Sequence, residues 1–245
     1  MLELNKTHHD NCLHTMALMP DNWVDLVFTS PPYNMNLRIR NGEYCSRSIS
    51  KDEFSTKYTE FDDNLPIEEY NKLHTKILKE LLRVTKHQIF YNIAIVTGSK
   101  RSVFKMIGDF ADNLKDIIIW DKGHGQPAMQ NQVLNRRTEL ILVFEKDYPI
   151  SRQFRNSGQF NRGTLDDLWL IKRQRSKNPL HRATNPDKLV STILENFSTE
   201  GDLIYDPFMG TGTTGRVAKQ MNRNFIGSEI NGLYLEDEAL MNYGA

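Results

Sequence analysis

The chain has 245 residues, 39% of them hydrophobic, with 31 basic and 31 acidic side chains and a formal net charge of zero. That apolar content builds one sizeable core, and neutrality excludes a protein that grips a polyanion by bulk charge alone. The two cysteines, Cys12 and Cys45, form neither a disulfide framework nor a metal-ligand spacing, and no apolar run reaches the roughly 20 residues of a membrane span.

Strand and helix patterns alternate along the chain. Val24–Phe28 reads as a buried strand running into Ser30-Pro31-Pro32-Tyr33. Residues 35–64 are polar and rich in Arg, Ser and Asn, and read as a mobile loop. Pro66 opens a helix to Lys86, in which Tyr70, Leu73, Ile77, Leu78 and Leu81 recur at helical spacing. A strand over Gln88–Ile95, a helix over Arg101–Leu114 and a strand over Ile117–Trp120 follow, and Gly123-His124-Gly125-Gln126-Pro127 breaks the pattern. After a strand over Glu139–Phe144, the segment from Asp147 to Pro179 is irregular and basic. Pro186 starts a helix, Leu203–Tyr205 is a strand, Thr211–Met221 a helix, Phe225–Gly227 a strand and Tyr234–Met241 a last helix. Strands separated by helices predict an α/β fold with a mostly parallel sheet covered on both faces.

Two segments carry chemistry. In Asp206-Pro207-Phe208-Met209-Gly210-Thr211-Gly212-Thr213-Thr214 an apolar strand ends in an acid, turns on two glycines and enters a helix. Glycines let the backbone approach a ligand, and a helix start directs unpaired N–H groups at it. The turn lacks the Gly-Lys-Ser/Thr of a nucleoside triphosphate loop. Glu229 ends a second strand, where a carboxylate accepts from ribose hydroxyls. Taken alone the glycine turn is as well read as a plain strand-to-helix corner; the second acid favours a nucleoside site. The other segment is the Ser30–Tyr33 run. Two prolines fix two φ angles and remove two donors, leaving the Ser30 hydroxyl and nearby carbonyls as acceptors and Tyr33 as a ring for a planar base to stack on.

In combination these segments resemble the signatures of the DNA amino-methyltransferases: (Asp/Asn/Ser)-Pro-Pro-(Tyr/Phe), and Asp-Pro-Phe-x-Gly-Ser-Gly-Thr-Thr with Thr211 in the place of the serine. The first precedes the second here, as in the permuted β group of that family. His9-Asp10-Asn11-Cys12, Arg83–Lys86, Glu139–Phe144, His181-x-x-Thr184-Asn185-Pro186 and Phe225–Ile230 extend the resemblance over nearly the whole chain, with Asn185 a departure from the usual residue before the proline.

The resemblance implies a single Rossmann-like methyltransferase domain over residues 1–245, with a seven-stranded, mostly parallel sheet and a small recognition insertion. S-adenosyl-L-methionine is the implied cofactor. Asp10, Asn11, Thr184, Asn185, Asp206, Phe208, Gly210, Thr211, Gly212, Thr213 and Glu229 are the residues implied to bind it. The implied chemistry is methylation of a flipped base. Ser30, Pro31, Pro32 and Tyr33 act directly: Ser30 and the Pro31 carbonyl hold the amine, and Tyr33 stacks on the ring. A serine before Pro-Pro favours cytosine N4, with adenine N6 the alternative and a silent cofactor- and DNA-binding subunit a further one. Methylation of RNA or a protein glutamine is disfavoured by the motif order.

Double-stranded DNA is the implied partner, in the cytoplasm of a microbe or of a virus-infected host cell. A homodimer and a companion restriction nuclease are left open. Between Arg152 and Arg182 eight basic residues oppose two acids, an excess of six. Residues 146–180 are therefore the expected target-recognition segment and residues 35–64 a loop closing over DNA, with Arg38, Arg40, Arg155, Arg162, Arg173 and Arg175 as contacts.

Overall fold

The computed structural model describes residues 2–34, 37–40, 43–46, 64–126, 131–147, 149–155, 157–174 and 184–235. In chain order these form β1 (Lys6–His9), α1 (Cys12–Ala17), β2 (Leu26–Thr29), β3 (Leu37–Arg40), β4 (Glu43–Ser46), α2 (Ile67–Val84), β5 (Gln88–Ile93) and α3 (Lys100–Asp109). There follow β6 (Leu114–Gln126), β7 (Arg136–Glu145), β8 (Leu168–Leu170), α4 (Asp187–Phe197), β9 (Leu203–Asp206), α5 (Thr213–Gln220) and β10 (Asn224–Glu229). Eight strands form one sheet in the order β1-β10-β9-β2-β5-β7-β6-β8. All run the same way except β7, which is antiparallel to both β5 and β6.

Alternation along the strands divides two cores. Val27, Ile89, Tyr91 and Tyr205 point to the side covered by α1, α2 and α3, where they meet Met16, Ile77, Leu81 and Val103. Phe28, Phe90, Ile204 and Phe225 point to the other side, against Leu189, Ile193, Phe197 and Val217 of α4 and α5. This is the period-two geometry of a strand buried on both faces. α2 and α4 start where the sequence predicts, whereas α1 is not among the expected helices and α5 begins at Thr213 rather than Thr211. Pro66 and Pro186 stand at the N-caps of α2 and α4, and Glu68 and Glu69 place negative charge in the first turn of α2.

The order of strands also sets the place of a ligand. From β2 the chain crosses through α2 to β5, and from β9 it crosses through α5 to β10, in opposite directions from two adjacent strands on opposite faces. Such a switch point opens a crevice beyond the carboxyl ends of β2 and β9.

Three expectations change. Among the described residues the sheet has eight strands, not the implied seven: β1 and β8 join the six read from the sequence, and β8, Leu168–Leu170, pairs in parallel with β6 inside the segment read as irregular. Part of the expected loop 35–64 forms an antiparallel ribbon of β3 and β4, while residues 47–63 lie outside the described chain. Gly123 does not end its strand: with φ at +79° it sits in an irregularity between Asp121 and Gln126, and β6 continues. Most of the expected last helix, Tyr234–Met241, lies outside the described residues. No helix among the described residues is long and apolar enough to cross a membrane.

Gly215 in α5 shows how closely helix and sheet approach. A Cβ there would lie 2.7 Å from a ring carbon of Phe225, which is fully buried. Gly215→Ala is therefore expected to lower stability by about 1–3 kcal/mol in denaturant melts, in spite of alanine's better helix propensity. An unchanged or higher midpoint would mean that the ring yields without cost.

Candidate active site

The site is built around a buried carboxylate. Asp206, at the end of β9, accepts the Thr29 hydroxyl at 2.7 Å, the Thr214 hydroxyl at 2.6 Å and the Phe208 amide at 3.0 Å. Burial pushes its carboxyl up to about 6, against the three bonds, which lower it. Thr29 is the last residue of β2 and Thr214 lies in the first turn of α5. One side chain thus fixes the strand that feeds Ser30 and the turn that feeds the helix.

In that turn Gly210 and Gly212 have φ of 56° and 81°, values that favour glycine. Gly212 caps α5 without a side-chain bond, so the first-turn N–H groups have no side-chain acceptor there. Gly210, Gly212 and Gly215 stand at i, i+2 and i+5, the spacing of the dinucleotide fingerprint, and Gly215 supplies its close helix–strand packing. Glu229, at the end of β10, holds the turn from outside: it accepts the Gly210 amide at 2.7 Å and the Asn231 amide at 2.9 Å. Burial raises its carboxyl above the ordinary range.

The Ser30–Tyr33 run leaves β2 with all peptides trans. Residues outside the run hold it. The Tyr70 hydroxyl donates to the Pro32 carbonyl at 2.8 Å, and the Ser99 hydroxyl to the Tyr33 carbonyl at 3.0 Å. Ser30 Oγ accepts from Asn92 at 3.0 Å and lies 3.0 Å from Nδ2 and 3.2 Å from Oδ1 of Asn185. The Tyr33 hydroxyl donates to Glu139 at 3.1 Å and accepts from Asn92 at 2.9 Å. Glu139 is buried beside the Lys122 ammonium at 2.9 Å, with Arg173 at 3.3 Å. Burial pushes the Glu139 carboxyl up, but Lys122, Asn92 and Arg173 together outweigh it and hold it below its ordinary value.

A cavity of about 360 Å³ lies between these segments. Ser30–Tyr33 forms one wall. Phe208, Gly210, Thr211, Thr213 and Glu229 form another, with Asp206 behind them and Thr184 and Asn185 between. The two segments singled out in the sequence therefore share one chamber. Gly212 shapes the turn without lining it.

Other expected residues do not meet there. Asp10 and Asn11 are outside the cavity walls: Asp10 accepts the amide of Asn11, and Asn11 caps α1 through the Leu13 amide. Arg155 is at the wrong end of the sheet. Its neighbours Phe154 and Ser157 contact Lys115 at the start of β6 and Gln88 at the start of β5, and the Phe154 ring packs on Phe197 at the last turn of α4. Arg162 follows Gln159, whose amide is bonded to Asn196, and it too stands outside the walls. Among the expected basic contacts whose side chains are described, Arg173 lines the chamber and Arg155 and Arg162 do not. Arg38 and Arg40 lie on β3, opposite Cys45 and Glu43, and Arg175 lies outside the described residues. Sequence reasoning missed Asn92, Lys122 and Glu139. Their one signal is a polar residue interrupting an apolar strand.

A doubly covered sheet with a glycine turn, a strand-end acid and a proline-braced acceptor at the switch point defines a Rossmann-like methyltransferase fold. The sequence model of the DNA methylase family matches residues 24–240, and the chain belongs to that family, the S-adenosylmethionine-dependent methyltransferases of cytosine N4 and adenine N6 in DNA. Similar curated proteins include the type II methyltransferases BglII of Bacillus subtilis (28% identical, 95% of this chain and 67% of the relative) and HinfI of Haemophilus influenzae (28%, 95% and 67%). Among solved structures, the PvuII DNA methyltransferase, named as cytosine-N4-specific, superposes with a TM-score of 0.71 at 17% identity, over 98% of this chain and 86% of that one. An M1.HpyAVI complex with S-adenosylmethionine superposes with a TM-score of 0.62 at 19% identity, over 96% and 98%.

The raised Asp206 carboxyl has a consequence for stability. Without ligand, the folded state keeps this proton to about pH 6, whereas the unfolded chain releases it near 3.8. The group therefore contributes least to stability once pH has risen through both values. The stability of the wild type minus that of Asp206→Asn is expected to fall by roughly 2 kcal/mol between pH 4 and pH 7. A difference that stays level in paired denaturant melts would mean that Asp206 ionises normally.

Proposed function

We propose that this methyltransferase acts at cytosine N4 of a nucleotide flipped into the chamber, with Ser30 and the Pro31 carbonyl as the acceptors of the amine. The observation that carries this reading is the shared chamber of the Ser30–Tyr33 run and the Gly210–Thr213 turn. The residues present fit the cofactor. A backbone with two left-handed glycines allows close approach, and Glu229, with two amides already bound, keeps lone pairs for a ribose hydroxyl. Ile230 and Tyr234 line the chamber next to Glu229, and we assign the adenine to them rather than to Asp10.

When bound, S-adenosylmethionine supplies a sulfonium-activated methyl group. The chain's own work is to hold the acceptor nitrogen. Accepting its N–H groups draws the lone pair out of conjugation with the base ring and aims it at the methyl carbon. The nitrogen would gain the methyl as the methyl–sulfur bond breaks to leave a neutral thioether, and its surplus proton would pass to solvent. Positioning accounts for most of the acceleration, and no covalent enzyme intermediate is needed. Tyr33 offers its ring to the base, with its hydroxyl pinned by Glu139 and Asn92. The choice of cytosine follows from the hydroxyl of Ser30 in a position where adenine enzymes commonly carry aspartate. The name of the PvuII enzyme agrees with it.

DNA is assigned to the mouth of the chamber. There Arg173, with its side chain 54% exposed, stands with the exposed His124 and Arg136 of the β6 and β7 arms. Among the described residues of the expected 146–180 recognition segment, Arg173 and Gln174 reach this rim. The type II relatives support a place in the modification half of a restriction–modification pair.

Tyr33→Ala is expected to cut kcat/KM for DNA by about 10- to 100-fold, the scale of a lost stacking contact, with cofactor affinity within about twofold of wild type. Equal loss of both would make Tyr33 structural. Nucleoside analysis of DNA methylated with labelled cofactor should yield N4-methylcytosine; N6-methyladenine alone would overturn the base assignment.

A further inference from the structure

Lys122 sits on β6 one residue before the left-handed Gly123, and its side chain is 7% exposed in the chamber wall. An ammonium carries three N–H donors. Glu139 Oε1 takes one at 2.9 Å, and the described residues offer the others no acceptor. A cation this enclosed is stable only when its remaining donors find acceptors. The chamber is where they open.

The same carboxylate sets the ammonium's position relative to the stacking ring. Glu139 Oε1 binds Lys122 while Oε2 accepts the Tyr33 hydroxyl at 3.1 Å and the Asn92 amide at 3.0 Å. Asn92 in turn donates to Ser30 Oγ at 3.0 Å. The amine acceptor, the stacking ring and the buried cation are thus three points of one rigid network. A base stacked on Tyr33 with its amine at Ser30 turns the rest of its pairing edge along the same wall. In cytosine that edge continues with two acceptors, N3 and O2. In adenine it continues with one acceptor, N1, and then a C–H.

We propose that Lys122 reads the flipped base by donating to O2 of cytosine, and that Glu139 is the positioning residue that aims it. This rests on the cytosine reading above. Adenine would set its C2–H against a buried ammonium and leave the donor unpaired, so the contact selects cytosine as well as binding it.

Lys122→Met alone would leave the buried Glu139 with only the half-exposed Arg173 as counter-charge, a change that can cost the fold itself. The informative comparison is Lys122→Met/Glu139→Gln against Glu139→Gln, with cofactor affinity and melting temperature measured for both. At equal melting temperature and cofactor affinity, the double variant is expected to fall about 10- to 100-fold below the single one in kcat/KM for DNA, the scale of a bond to a charged donor. On a duplex holding the mapped methylation site, the double variant should lose affinity only when the target base is present. On the same duplex with an abasic target nucleotide the two variants should bind alike.

Equal kcat/KM for the two variants overturns the role of Lys122. Equal weakening on the abasic duplex also overturns it and makes Lys122 a phosphate contact. The wild-type product separates the two layers. N4-methylcytosine with indifferent variants sinks the lysine assignment alone, whereas N6-methyladenine sinks the cytosine reading and the O2 contact with it.

Discussion

A carboxylate with almost no exposure is costly unless its lone pairs are filled, and Asp206 fills them with groups from two chain segments 177 residues apart in the Thr29 contact. Thr29 ends β2, and Thr214 begins the α5 side of the glycine turn. Because both hydroxyls converge on one anion, neither segment can shift without stranding a buried charge. This constraint has a functional meaning in a transferase. Cofactor and acceptor must meet within bonding reach, and errors near an ångström cost large factors in rate. Placing the tie at the root of both segments, behind the chamber wall, fixes their separation before any ligand enters.

The second determinant is the reversal of β7. All seven of its companions in the sheet run the same way, so their carboxyl ends alone would normally furnish the site; β7, antiparallel to both neighbours, brings its beginning instead. Glu139 stands near that beginning and so reaches Tyr33 and Asn92 at the carboxyl ends of the parallel strands. β6 is longer than its neighbour β8, and its last third continues past it to deliver Lys122 and His124. The half of the chamber that faces the base is therefore made by an antiparallel pair appended to a parallel core.

These two features explain what could be read from residues in order. The cofactor turn and the Ser30–Tyr33 run are contiguous, each with its own backbone logic of glycine or proline, and both were legible. So were the helices with a proline at the cap and apolar residues at helical spacing, as in α2 and α4. Glu139 was visible only as a polar residue opening an apolar strand, and nothing local states that the strand runs backwards. Asn92 looked like one more position in Gln88–Ile93, all of which are buried. β8, at three residues, is too short to carry a periodic signal and forms because Trp169 is buried against the sheet and because Trp120 donates to the Ile171 carbonyl at 2.8 Å.

Charge was the least reliable guide, for a geometric reason. Counting cations along residues 152–182 treats sequence neighbours as spatial neighbours. In the fold, Phe154, Ser157 and Phe160 anchor the first part of that run beside Lys115, Gln88 and Phe197, away from the chamber, and the chain returns to the rim only at Arg173. The chamber gathers its other cationic and titratable groups, buried Lys122 and exposed His124 and Arg136, from two strands whose sequences offer no basic run longer than the Arg136-Arg137 pair. A chain with zero net charge can therefore present a cationic opening without any long basic segment. The few charges that matter are those the sheet topology brings to the carboxyl ends, and one of them, Arg173, is already bonded to Glu139. On the proposed assignment the attraction of a polyanion and the holding of a base draw on the same small group of side chains, which couples long-range pull and local reading at one carboxylate.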